Sequence, residues 1–208
     1  MQRLTTLLLF CLVLLAGCAS QAPTPDIARD QITWSAQRDR VEALDAWRLA
    51  GKVGLRTPED AVSANLDWTQ TGFDYRILIS GPFGAGRSVL ESSAQGVMLT
   101  TSEGRFEAET AEQLMEDQLG WALPVSALDR WVRGLPAYIL PHQTTTDEQG
   151  FPTRMQQAGW TIDYRDWTWA PELNGGLWLP RRLVMTIDDF RATLVVNAWN
   201  PVDTDPST

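Results

Sequence analysis

Histidine and cysteine, which carry much of catalysis and metal binding near neutral pH, are almost missing: the 208 residues hold one histidine, His142, and two cysteines, Cys11 and Cys18. No partner can be named for His142, which lies in a Pro-, Thr- and Gln-rich stretch that reads as a solvated loop. Signatures are missing as well: there is no GxSxG, no HExxH and no Walker A sequence. Acidic pairs such as Glu116-Asp117, Asp147-Glu148 and Asp188-Asp189 are adjacent, which on a strand or a helix points them apart and reads as solvated faces. The chain is therefore expected to be no enzyme, with no catalytic residue and no metal ligand. Positive charge is scarce too, with 17 Lys and Arg against 26 Asp and Glu and a net charge of -9. No basic stripe exists to release counterions from a phosphate backbone, so nucleic acid is excluded as a partner, and general adhesion to anionic lipid is disfavoured. Finally, no apolar run is long enough to cross a bilayer; the longest, Leu7 to Ala16, falls well short of about 20 residues.

That short run is itself informative. It follows the single basic Arg3 and ends in Leu15-Ala16-Gly17-Cys18, the layout of a secretory signal whose end resembles the lipobox of bacterial lipoproteins. The reading assigns residues 1–17 to a cleaved signal peptide and makes Cys18 the acylated N-terminus, with a covalent lipid there and no other cofactor. Two or three acyl chains hold a protein firmly on a membrane without spanning it, each buried CH₂ contributing about 0.8 kcal/mol. Ala19 and Ser20 follow, rather than an aspartate that would retain the protein at the inner membrane, so the expected location is the periplasmic face of the outer membrane. Cys11 leaves with the signal, so no disulfide can form within the mature chain.

Residues 18–33, rich in Ser, Gln, Pro and Thr, read as a flexible tether, and residues 34–208 as one domain. Val41, Leu44 and Trp47 fall at helical spacing and predict a short amphipathic helix over 34–47. The period then changes to two: Leu49, Val53 and Leu55; Val62, Ala64, Leu66 and Trp68; Phe73, Tyr75, Ile77 and Ile79. Further strands are expected at 87–92, 97–101, 105–109, 154–157, 160–166, 178–187 and 192–199. Strands this numerous at hairpin spacing indicate an antiparallel sheet long enough to curl into a barrel. Two helices interrupt it: one opened by a capping box, Thr110 with Gln113, and ended at Gly120; one opened by Pro124 and stopped by Gly134. They are expected to cover one mouth or face of the sheet. Residues 136–150 read as polar and irregular.

Between two of the strand runs stands Gly81-Pro82-Phe83-Gly84-Ala85-Gly86. Its spacing is wrong for a dinucleotide fingerprint, and a strand rather than a helix follows it, so no phosphate site forms there. A plain turn remains open, as does an exposed apolar tip at Phe83. Ten tryptophans are equally conspicuous. Trp68 and Trp160 on strands and Trp131 on the covering helix either fill a core or line a cavity, and periodicity does not separate a filled barrel from an open one.

The ordered set of WRLAGKV (47–53), LDWT (66–69), FDYR (73–76), GPFG (81–84), LPVSALDRWVRGLP (123–136) and GWTIDYRDW (159–167), placed after a lipobox, resembles the LolB family of outer-membrane lipoprotein receptors. The resemblance implies a mainly β fold with helices, an incomplete curled antiparallel β-barrel enclosing an apolar cavity under a helical lid. It implies a monomer that accepts acylated lipoprotein cargo from the soluble periplasmic carrier LolA and inserts it into outer-membrane lipid without nucleotide hydrolysis. Trp68, Trp131 and Trp160 would then lie near the acyl-chain cavity. Gly81, Pro82, Phe83 and Gly84 would form a membrane-insertion loop, in which Phe83 is a bulkier residue than the leucine frequent in the family. Two other readings stand beside this one: a lipoprotein that binds saccharide or peptidoglycan through exposed tryptophans, and a hydrolase using carboxylates that the fold brings together.

Overall fold

A computed structural model describes residues 28–81, 86–94, 96–119 and 123–202. Eleven strands form one antiparallel sheet: β1 (Ala46–Arg56), β2 (Ala61–Thr71), β3 (Asp74–Ser80), β4 (Ser88–Ser93), β5 (Gly96–Thr100), β6 (Arg105–Ala108), β7 (His142–Thr146), β8 (Pro152–Gln157), β9 (Trp160–Ala170), β10 (Leu177–Ile187) and β11 (Phe190–Asn200). Their spatial order is β6-β5-β4-β3-β2-β1-β11-β10-β9-β8-β7. Two meanders, β1 to β6 and β7 to β11, are thus joined where β1 pairs with β11. The edge strands β6 and β7 are not paired with each other, so the barrel is open.

Period-two alternation produces this sheet in a direct way. In β1, Trp47 and Leu49 are buried while Arg48 is exposed, and in β2 Leu66, Trp68 and Gln70 share the inner face. Between Ala50 and Gly51 the β1–β11 register shifts by a bulge. A Cβ on Gly51 would stand 2.3 Å from the Val195 carbonyl oxygen, closer than any real contact. Gly51→Ala is accordingly expected to lower stability by about 1–3 kcal/mol, read as an earlier midpoint in urea unfolding with unchanged slope.

The helices carry the chain from one open edge to the other. α2 (Ala111–Leu119) and α3 (Val125–Trp131) lie in sequence between β6 and β7. Thr110 Oγ1 accepts the Gln113 N–H at the start of α2, the first half of the expected capping box. α3 ends in a Schellman motif: the Gly134 N–H donates to the Trp131 carbonyl and the Leu135 N–H to the Arg130 carbonyl. Gly134 itself is left-handed, with φ at 82°. Glu112 Oε1 accepts both the backbone N–H and the hydroxyl of Ser126, tying α2 to α3. The Gly120 stop of the sequence reading lies outside the described residues.

Two sequence expectations need correction. The opening helix, α1 (Trp34–Glu42), is shorter than 34–47: Ala43 closes it and Trp47 belongs to β1. Val41, Leu44 and Trp47 are all buried, but the spacing of three spans a helix end, a turn and a strand rather than one helical face. The stretch 136–150 also contains β7, with His142 as its first residue, so His142 is on an exposed edge strand and not in a loop. Every residue of β7 is exposed and polar, so no alternation announced it; the blunt polar edge resists pairing with another chain. Ahead of α1, a 3-10 turn at Arg29–Gln31 packs on the body, with Arg29 paired to Asp147 and lying over the Phe151 ring.

Candidate functional site: an apolar cavity under the helices

Between the helices and the concave face of the sheet lies a void of about 70 Å³. The sheet side is built by Val53 of β1, Leu66 and Trp68 of β2, Ile77 and Ile79 of β3, Leu90 of β4, Met185 of β10 and Leu194 of β11. The helical side is Met115 of α2, Leu123 ahead of α3, and Val125, Leu128 and Val132 in or just beyond α3. Every lining residue is apolar, so an empty void here stays dry. Its volume is under half of the roughly 150 Å³ that admits a benzene in an engineered cavity. As it stands it has room for a few methylene groups and not for a whole acyl chain.

Of the three tryptophans expected near a cavity, Trp68 lines this void. It packs 5.1 Å from Trp47, and its indole N–H donates to Gln70 Oε1 at 2.9 Å. Trp131 and Trp160 are also buried but lie outside the lining; they pack on each other at 6.2 Å. The Trp131 indole N–H donates to Gln157 Oε1, and its carbonyl accepts the Tyr164 hydroxyl. The two meet where the last residue of α3 packs against the first residue of β9. Leu66, Ile77 and Ile79 stand among the alternating positions of the sequence, but nothing in their spacing separates residues bordering a void from residues filling the core. In the glycine loop, Gly81 is described and follows β3 directly. Pro82, Phe83 and Gly84 lie outside the described residues, as does Cys18.

Two tyrosines near these layers show how apolar the interior is. Burial, helped by the nearby Glu112 carboxylate, pushes the Tyr75 hydroxyl up to about 12. Burial alone drives Tyr164 well above the usual phenol range. Both hydroxyls stay protonated at neutral pH, and that of Tyr164 serves as a fixed hydrogen-bond donor. At the far end of α3, Arg133 donates to the Val41 and Leu44 carbonyls and pairs with Asp129, so cations at this end bind α3 to α1 rather than face a ligand.

An open antiparallel half-barrel, with helices over a dry apolar interior, defines the class of the protein. It is a fold shared with a LolA superfamily protein from Nitrosomonas europaea, TM-score 0.51 at 9% identity over 84% of this chain and 96% of that one. A DUF1329 family protein from Desulfovibrio piger has the same architecture, TM-score 0.51 at 7% identity over 82% and 91% of the two chains. The family model of outer membrane lipoprotein LolB matches residues 45–199, and the chain belongs to that family. Its relatives include the outer-membrane lipoprotein LolB of Chromohalobacter salexigens, 62% identical over 92% of this chain and 87% of the relative. The protein of the same name from Pseudomonas aeruginosa is 42% identical over 91% and 92% of the two chains.

Proposed function

We propose that this protein is a lipid-anchored receptor on the periplasmic face of the outer membrane, which takes acylated lipoproteins from a soluble LolA-type carrier and inserts them into the membrane. The observation that carries the reading is the wholly apolar void between α2, α3 and the sheet. Membership of the LolB family and the outer-membrane lipoprotein names of the relatives support it. The small volume of the void gives the mechanism its energetics. An acyl chain gains about 0.8 kcal/mol per methylene withdrawn from water, but part of that gain is offset by lifting α2 and α3 from the sheet. The net affinity is then moderate, as handover requires: cargo passes from carrier to receptor to bilayer down a gradient of binding free energy, with no nucleotide to drive it. In this reading Phe83, which stands between Pro82 and Gly84 in the sequence, enters the lipid interface and eases the last step.

Saturable binding of a palmitoylated lipoprotein, competed by free palmitate, is the expected result for the Cys18→Ala chain in solution. No acyl binding, together with saturable binding of peptidoglycan fragments, would transfer the assignment to the saccharide-binding reading. For the loop, Phe83→Ala is expected to fold and take up cargo normally but to deposit it slowly in vesicles, and Phe83→Glu more slowly still. A defect in uptake from the carrier equal to the defect in deposition would place Phe83 at the carrier contact instead.

A further inference from the structure

The segment between α3 and β7 presents Tyr138, Ile139 and Leu140 to solvent in succession, with Ile139 fully exposed. This is a built feature rather than a loose loop. Ile139 is held at φ 67°, a left-handed conformation that a β-branched residue rarely adopts. The buried Gln157 side chain closes the base of the segment: its Oε1 accepts the Ala137 N–H, and its Nε2 donates to the Ala137 and Leu140 carbonyls. The Arg130 guanidinium lies 3.8 Å from the centre of the Tyr138 ring. Strain of this kind persists only where the surroundings enforce it, and here they hold an apolar side chain outward.

Strand directions place this tip. Gln157 ends β8 and pairs with His142 at the start of β7 and Trp160 at the start of β9. Following the pairings across the sheet, the same end carries Ile187 and Phe190, Arg56 and Ala61, and then Ser80 and Ser88, which bound the connection containing residues 81–87. Among the described residues, the exposed large apolar side chains are Val62, Phe73, Tyr138, Ile139 and Leu140. All but Phe73 are at this one end; Phe73, beside the β2–β3 turn, is at the other.

We propose that Tyr138, Ile139 and Leu140 form a second membrane-contacting tip, so that the receptor meets the bilayer with this end of its sheet. The proposal rests on the membrane-inserting reading of the protein given above. A lipid surface fits the tip better than a protein does: three projecting side chains fall far short of the about 800 Å² per partner of a stable protein interface, whereas an apolar trio containing a tyrosine suits the headgroup boundary. Exposed Glu59, Asp60, Glu103, Asp188 and Asp189 are on the same end and offset Arg56, Arg87, Arg105 and Arg191 there, so this end carries no net positive charge. Contact therefore depends on apolar insertion and not on attraction to anionic lipid.

The test is a fluorophore attached at Ile139→Cys in the full lipidated protein, reconstituted with vesicles of phosphatidylethanolamine and phosphatidylglycerol containing brominated lipid. Quenching at position 139, unchanged by salt, is expected, with none for the same probe at Phe73→Cys. As a second measurement, Ile139→Gly in the Cys18→Ala chain keeps the left-handed backbone. It is expected to bind these vesicles about tenfold more weakly without a lower Tm. Quenching at a probe on Phe83→Cys but not at 139 would overturn the second tip and leave the proposed function standing. Absence of quenching at both would remove the membrane-facing orientation altogether. A probe at 139 that responds only when the carrier is added would make the trio a protein-docking element and overturn the proposal.

Discussion

Trp68→Ala is expected to lower stability by about 3–5 kcal/mol and, alone among the three inward tryptophans, to change how the interior binds apolar ligands. The stability loss follows from position. Trp68 packs on Trp47, which in turn meets Trp199 at 5.2 Å, so truncation removes one end of an aromatic row that spans β2, β1 and β11 and uncovers a face of the fully buried Trp47. It also leaves the buried Gln70 without the indole it accepts from. The functional effect follows from the lining: the space vacated by Trp68 is continuous with the 70 Å³ void, so a short apolar probe should bind several-fold more tightly to the variant than to the parent. Trp160→Ala removes a similar volume outside the lining, and should cost similar stability with little change in probe affinity. Urea unfolding and titration with an apolar fluorescent probe give both quantities; equal affinity changes in the two variants would mean that the interior behaves as one connected space.

Gln157→Leu is the second change with a large expected effect, about 3 kcal/mol or more of lost stability in urea unfolding. Leucine matches the side chain in size but leaves the Trp131 indole N–H and the Ala137 N–H without their shared acceptor, and the Ala137 and Leu140 carbonyls without their donor. Trp131 is fully buried, and its indole can gain no water without opening the packing against Trp160. Because the same amide closes the base of the Tyr138–Leu140 tip, amide hydrogen exchange at Ala137 should accelerate together with the stability loss. If exchange there stays slow while stability falls, the segment is held by Arg130 and Tyr138 and not by Gln157.

Alternation made nearly every strand legible, because half-buried antiparallel strands must put apolar side chains on every second position. Ten of the eleven strands and both lid helices follow from that pattern, from Thr110 and Pro124 as openers, and from Gly134 as a stop. β7 escaped because an all-polar edge strand buries no face, and what places it is pairing with β8. Trp47 misled in the opposite way, since burial at a spacing of three is produced as well by a helix end turning into a strand. The tip at Tyr138 to Leu140 was illegible for a similar reason: apolar residues in a polar stretch look like a small local core until the backbone shows them turned outward.

By itself, the sequence determined the class of protein: an acidic chain, poor in the side chains of catalysis, whose N-terminal run ends in a lipobox-like stretch, whose period of two and helical insert require a curled sheet with a cover, and whose ordered motifs match one family. Only the tertiary structure decided which inward positions leave space and which fill it. Inwardness is a property of each residue's parity along its own strand, whereas a void is a property of how thirteen side chains from eight elements and one adjoining loop fail to meet. The same holds for the end of the sheet that we propose meets the membrane. Val62 and Ile139 are far apart along the chain, and only the pairing of one strand with the next puts them at a common end of the sheet.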